Sequence, residues 1–273
     1  MPAEAEGRGR LRYGLLGFGR IGRRLAARLA GSSIELAAVL ARPGDRARVE
    51  AAVPSVAVAT DLDGFLAAGL EVAVECASAA ALAEHGPKIL AAGVDLVPLS
   101  LAALADPAVE EALMAAARRG PGRLEIPAGA MAGLDVLAAA REDDLRAVTV
   151  RVAYPAARLA GTPAAAGRDL AALAGPALVA VGSVRELAGA YPRHLNVLVG
   201  PALAGLGLDA TRAELVADPD LAQATFELRL RAGPGDVTLS VGPRDVAFGE
   251  DPIDYTTFSV MRLLRRRVAP VML

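Results

Sequence analysis

The sequence predicts an α/β protein: an N-terminal Rossmann dinucleotide-binding domain followed by an α+β domain built on a mainly antiparallel sheet. Three observations predict it. Gly17-Phe18-Gly19-Arg20-Ile21-Gly22 follows the apolar run Tyr13-Gly14-Leu15-Leu16 and opens a helical stretch, the setting in which a GxGxxG turn binds a dinucleotide. From Leu11 to about Ile126 short apolar runs alternate with Ala/Leu-rich segments, which describes a parallel sheet covered by helices. Further on, polar and apolar residues alternate, best seen in Thr225-Phe226-Glu227-Leu228-Arg229-Leu230-Arg231, as in strands with one buried and one wet face.

Taken in order, the expected strands of the first domain are Arg12 to Leu16, Ile34 to Leu40, Val56 to Ala59, Glu71 to Glu75, Val94 to Pro98 and Leu124 to Ile126. Helices are expected over Arg20 to Ala30, Ala79 to Ala92 and Pro107 to Arg118. Asp106 before Pro107 supplies a capping acceptor and a first-turn proline for the last of these. A helix over Met131 to Ala140 begins the second domain, and Ser183 with Glu186 forms a capping box for another. That helix ends near Tyr191-Pro192, and one more starts at about Leu195. Ala160 to Gly175 is a loose connection rich in Ala, Gly and Pro, Asp236 to Val241 is a further strand, and Tyr255 to Arg267 is an amphipathic helix. The division expected is residues 1–128 as the dinucleotide-binding domain, with 252–273 packing back on it, and 129–251 as the substrate and dimerisation domain.

Composition narrows the function. With no Trp and few other aromatics, base-stacking platforms are not expected. The formal charge is −2, and only Arg265-Arg266-Arg267 clusters basic residues. That triplet reads as the solvated last turn of a helix, so neither nucleic acid nor a membrane surface is an expected partner. Charged residues or proline interrupt every apolar run before membrane-spanning length. One cysteine, Cys76, excludes an internal disulfide and fits a cytoplasmic setting. Two histidines, His85 and His194, lie far apart without metal-ligand spacing, so no metal is expected. The only lysine, Lys88, falls on a helix, which argues against Schiff-base chemistry.

In the glycine-rich turn, Gly17 permits the tight bend, Gly19 lets the cofactor pyrophosphate approach the backbone, and Gly22 brings helix and strand together. Backbone N–H groups of Arg20, Ile21 and Gly22 at the helix start meet the phosphate charge. The second strand ends Val39-Leu40-Ala41-Arg42 rather than in an acid. An arginine there pairs with a 2′-phosphate, so the cofactor is NADP or NAD with NADP favoured.

Together GFGRIG, VECAS at Val74 to Ser78, HGPKILAAGVDLVPLS at His85 to Ser100, GAMAGLD at Gly129 to Asp135 and GSVRELAGAYPRHLNV at Gly182 to Val197 resemble the L-aspartate dehydrogenase family. The resemblance implies oxidation of L-aspartate to iminoaspartate with NAD or NADP, and a homodimer made through the second domain. It also places Ala77 and Ser78 beside the ribose and Ala130 and Asn196 at the nicotinamide end.

Three departures accompany it. The family's catalytic histidine, on a strand of the second domain in a segment like NxHEI, corresponds to Phe226 in Ala224-Thr225-Phe226-Glu227-Leu228. An Arg-Lys pair before a proline is here Ala153-Tyr154-Pro155, and a stretch like Asn-Pro-Lys-Thr-Ser is Asp251-Pro252-Ile253-Asp254-Tyr255. Loss of general acid–base help slows a reaction by about 10² to 10⁴, so poor aspartate oxidation is expected. The reading is a divergent NAD(P)-dependent dehydrogenase or imine reductase for an amino acid, imine or related small carbonyl compound. The alternative is a catalytically silent dinucleotide-binding protein. Candidates to replace the histidine are His194, Tyr154 and Tyr255. His85 is expected on an exposed helix face away from any cleft, and Cys76 as a small buried hydrophobe.

Overall fold

The computed structural model describes residues 10–242 and 255–271. They divide into two compact units, the first drawn from Met1–Ala103, Ala108–Pro127 and Thr256–Leu273, the second from Leu104–Pro107 and Ala128–Tyr255.

In the first unit, β1 (Leu11–Leu16) leads through the glycine turn into α1 (Arg20–Leu29), then β2 (Ile34–Leu40), α2 (Arg46–Ala52) and β3 (Ala57–Ala59). There follow α3 (Leu62–Leu66), β4 (Val72–Glu75), α4 (Ala79–Ala91), β5 (Asp95–Pro98) and α5 (Pro107–Arg119). All the strand pairs are parallel, in the order β3-β2-β1-β4-β5. The order reverses beside β1, which puts the β1 and β4 carboxyl ends where ligands bind in such sheets. Leu15, Val39, Val74 and Val97 are buried, as strands covered on both faces require.

The second unit contains α6 (Leu134–Ala140), β6 (Leu145–Pro155), β7 (Ala177–Ser183), α7 (Val184–Ala190), α8 (Asn196–Ala204), β8 (Arg212–Asp218), β9 (Thr225–Ala232) and β10 (Val237–Val241). Its sheet runs β10-β9-β6-β8-β7, antiparallel throughout except for the parallel pair β6 and β8. Burial alternates strictly along β6. Val148, Val150 and Val152 face the core, together with Leu228 and Leu230 of β9 and Ala213 and Leu215 of β8. Ser183 and Glu186 make the expected capping box of α7.

α9 (Tyr255–Arg266) buries Val260, Met261 and Leu264 in the core that also holds Leu11, Leu15 and Leu25. The rest of the expected 252–273 segment is described only to residue 271, and Ile253 lies outside the described residues.

Two expectations need correction. The sixth parallel strand is a single bridge between Leu124 and Leu96, because Pro127 cannot donate to a ladder and Gly120-Pro121-Gly122 bends the approach. The arginine triplet is not wholly solvated: Arg267 is half-buried and pairs with Asp95 at 2.7 Å and with Glu125. The loose segment after Ala160 contains two short 3-10 turns, at Pro163–Ala165 and Leu170–Ala172, capped by Thr162 and Asp169.

Candidate active site

At the carboxyl ends of β1, β2 and β4 lies a cleft of about 480 Å³. Gly17, Phe18, Gly19, Arg42, Ala77 and Ser78 line it, together with Asp45, Arg48 and His85. Gly17 has φ +88°, and a Cβ there would come within 2.9 Å of the Ala77 backbone, so only glycine joins β1 to α1 beside β4. At Gly22 a Cβ would meet the Gly17 carbonyl at 2.9 Å, whereas at Gly19 it would meet nothing within 4 Å. The empty side of Gly19 leaves the backbone open to a ligand. Gly19 also caps α1 without a side chain, and the first turn, which holds Arg20, Ile21 and Gly22, carries no acid. Its positive dipole end is therefore not neutralised by a local carboxylate. These features fit a dinucleotide pyrophosphate.

Sequence reasoning missed what holds Ala77 and Ser78. Glu75, fully buried at the end of β4, accepts from the Ala77 and Ser78 N–H groups on Oε1 at 2.8 and 2.9 Å. Its Oε2 accepts from the Leu99 and Ser100 N–H groups at 3.2 and 2.9 Å, and the Ser100 hydroxyl donates to Oε1 at 2.9 Å. A buried carboxylate demands such partners, so an acid closing the apolar run Val72-Ala73-Val74 was the available signal. Ser78 also caps α4, accepting from Ala81 N at 3.2 Å. Cys76 donates its thiol to the Gly17 carbonyl at 3.3 Å, and burial pushes its pKa up to about 12. It packs as a small protonated side chain.

At the cleft's outer edge Asp45 binds two arginines. Arg42 Nε donates to it at 2.8 Å and Arg48 at 3.0 Å, and hydrogen bonds from Arg48 and then Arg42 hold the Asp45 carboxyl below its ordinary range. His85, expected away from the cleft, instead lines it half-buried, because its helix, α4, starts at the β4 carboxyl end.

The remaining sequence candidates belong to the second unit or the start of α9. Ala130 occupies a turn beside Gly129, which has φ +62°, and Asn196 is the first residue of α8. Tyr255, the first residue of α9, is exposed. Tyr154 and His194 come together: the Tyr154 hydroxyl donates to the His194 carbonyl at 2.5 Å, and the rings meet edge-on with centroids 5.8 Å apart. Arg158 lies over the Tyr154 ring, 5.0 Å from its centroid. Burial pushes the Tyr154 phenol up, with Arg158 opposing, so the phenol stays protonated and committed to a main-chain carbonyl. Phe226 pairs across the sheet with Val152 and is half-buried. On the opposite face, Glu214 bridges Arg151 at 3.1 Å, Arg212 at 3.0 Å and Arg229 at 3.8 Å. Among the described residues no group of acids, histidines or cysteines is arranged to hold a metal ion, and no helix is long and apolar enough to cross a membrane.

Comparison with known proteins decides the family. Residues 17–127 match the model described as the NAD binding domain of homoserine dehydrogenase, and residues 135–267 match the C-terminal domain of aspartate dehydrogenase. An L-aspartate dehydrogenase of Bordetella parapertussis is 40% identical over 229 residues, covering 83% of this chain and 84% of the relative. The chain belongs to the L-aspartate dehydrogenase family. A second member, from Ruegeria pomeroyi, is 37% identical over 262 residues, 96% of this chain and 94% of the relative. The crystal structure of aspartate dehydrogenase from Thermotoga maritima superposes with a TM-score of 0.78 at 25% identity, covering 96% of this chain and 99% of that one. The chain is an NAD(P)-dependent oxidoreductase resembling aspartate dehydrogenase. The homoserine enzyme's model reaches residues 17–127, and residues 135–267 carry the aspartate dehydrogenase family's own signature.

Proposed function

We propose that the chain interconverts a small carboxylate-bearing amino acid and its imine or 2-oxo acid, using NADP in preference to NAD. The observation that carries this is the cleft in which Gly19 leaves open space against an α1 N-terminus that lacks a capping side chain. Gly17, Phe18, Gly19, Arg20, Ile21 and Gly22 hold the pyrophosphate, and Ala77 and Ser78 border the ribose. Ala130 and Asn196 meet the nicotinamide end. When bound, the nicotinamide takes or returns hydride at the substrate carbon. Arg42, with Arg48 on the same Asp45, supplies positive charge for a 2′-phosphate. Residues 1–128 with 252–273 act as the cofactor domain and residues 129–251 as the substrate and dimerisation domain. A homodimer is supported by Leu178 and Val181, both exposed on β7 at the sheet edge, since an uncovered apolar edge invites pairing. A cytoplasmic location agrees with the single free cysteine.

Phe226 at the position of the family's histidine favours a second reading, a dinucleotide-binding protein without turnover. Fluorescence titration with NADPH and NADH, followed by turnover of both oxidised cofactors against a panel of L-amino acids, separates the two. Tighter NADPH binding with turnover of one amino acid is the expected result. Binding without turnover supports the silent protein, and absence of binding overturns both readings.

A further inference from the structure

The sheet end at which Phe226 stands holds an imidazole from elsewhere in the chain. Phe226 lies directly opposite Val152, and Tyr154 is the next residue on that face of β6, about 6.8 Å further along the strand. The His194 ring rests edge-on against Tyr154 at 5.8 Å. The main-chain carbonyl of His194 accepts the Tyr154 phenol at 2.5 Å, and Arg158, whose guanidinium lies over the Tyr154 ring, acts on the imidazole. A neutral imidazole has one unprotonated ring nitrogen, the form a base requires. His194 is half-buried, while Arg158 and Arg193 are exposed.

We propose that His194 is the general base of this enzyme, supplied from the start of α8 in place of the strand histidine, with Tyr154 as its positioning residue and Arg158 and Arg193 as the cations that meet the substrate carboxylate. This rests on the dehydrogenase reading above. In the oxidative direction the base acts on water at the imine. The imine reacts in its protonated form, C=NH2+: the water oxygen bonds to its carbon, one O–H bond breaks, and that proton goes to the unprotonated ring nitrogen of His194. The C=N electron pair moves to nitrogen. His194 then returns the proton to that nitrogen, ammonia leaves with the C–N electron pair, and the remaining hydroxyl proton departs to solvent, giving the 2-oxo acid. The groups that act on His194 are Arg158 from the turn after β6, Arg193 from its own loop, and Tyr154 from β6. Burial, then the Arg158 charge, hold the imidazole below the ordinary histidine value of 6.5. The basic form is therefore present at neutral pH and is lost as pH falls through that lowered value. Tyr154 does not compete for the role, because its proton is committed to a carbonyl.

The test combines rapid mixing and steady-state turnover of His194→Asn and Tyr154→Phe, using NADP and the amino acid that the panel selects from L-aspartate, L-glutamate, L-alanine and L-lysine. His194→Asn should keep NADPH affinity and a first-turnover burst of reduced cofactor, lose at least about a hundredfold in steady-state kcat, and lose the acid limb of the pH profile. Tyr154→Phe should keep the burst, lose about tenfold in kcat, and move the acid limb, since general-base efficiency depends on placement. Independently of turnover, oxaloacetate should slow carbethoxylation of His194, but not of His85, by diethyl pyrocarbonate in the cofactor-free protein. An unchanged steady state in His194→Asn overturns the assignment, as does loss of the burst with cofactor binding intact. Absence of any cofactor reduction by the unmodified protein overturns the dehydrogenase reading itself and the assignment with it, and that outcome is seen before any variant is made.

Discussion

The cofactor cleft and the carboxyl end of β6 are built from different materials. The first is made of backbone: a left-handed Gly17, an open Gly19, the start of α1, and a loop pinned by Glu75. Its residues come largely from two short stretches of chain. The second is made of side chains, with Tyr154, Arg158 and His194 drawn from β6, the turn after it and the approach to α8. Backbone sites tolerate change almost everywhere except at glycines, while side-chain sites can exchange one residue for another that reaches the same point. A family can therefore keep its nucleotide turn unchanged while its acid–base group moves.

The largest effect expected from this contrast is at Gly19. Valine there meets open space in the protein but occupies the ligand's approach. Gly19→Val should weaken NADPH binding by at least about a hundredfold, ~2.7 kcal/mol, with the melting temperature unchanged. Gly22→Val is the contrast, because its Cβ meets the Gly17 carbonyl at 2.9 Å and overpacking of that kind costs about 1–3 kcal/mol of fold stability. Denaturation and fluorescence titration of both variants check the pair. Equal losses of stability would show that the turn is structural only.

Glu75 comes next. In Glu75→Gln one acceptor oxygen becomes an amide that points its own hydrogens at N–H donors, so about 2–3 kcal/mol of stability should be lost. Urea midpoints at constant slope measure it. A neutral substitution would mean that the five hydrogen bonds do not hold the Ala77-Ser78 loop.

How much was legible follows the same division. The glycine turn, the Ser183–Glu186 capping box and the amphipathic α9 were readable because their geometry depends on residues within one or two turns of each other. The pairing of β6 with β8 was not, since parallel partners separated by β7, α7 and α8 leave no local mark. His85 was misplaced because a helix face cannot be oriented toward a cleft without knowing the crossover. Arg158 went unnoticed for a related reason: a lone arginine after a strand looks like any solvated loop residue until Tyr154 is seen beneath it. Arg42, by contrast, was found from its place at the end of β2, although its partner Asp45 was not.

Arg42 gives the third prediction. Arg42→Asp would set two carboxylates at the edge of the cleft, where Asp45 already stands. NADPH should then bind about tenfold more weakly and NADH no worse, reversing the preference. Because Arg42 is exposed, the fold should not notice the change. Titration of both reduced cofactors settles it, and an NADH preference in the unmodified chain would reject the role of Arg42.

The smallest expected effect is the most discriminating. Phe226→His, which supplies the histidine that the resemblance implies for this position, puts an imidazole opposite Val152, on the face where Tyr154 already holds His194. If the base has moved to His194, the second imidazole is redundant, and kcat should change less than about threefold even though a base is worth about 10² to 10⁴. Poor use of L-aspartate should then show mainly as a raised KM, because Ala153 stands where the resemblance implies a cation and the new histidine supplies none. In a His194→Asn background the same substitution should recover about tenfold of the lost kcat, since the ring returns to the same strand end from the other side. Steady-state kinetics on the two single variants and the double variant complete the cycle. A large gain from Phe226→His alone would mean that the unmodified chain lacks a base altogether, and no recovery in the double variant would mean that His194 and position 226 do not serve the same atom.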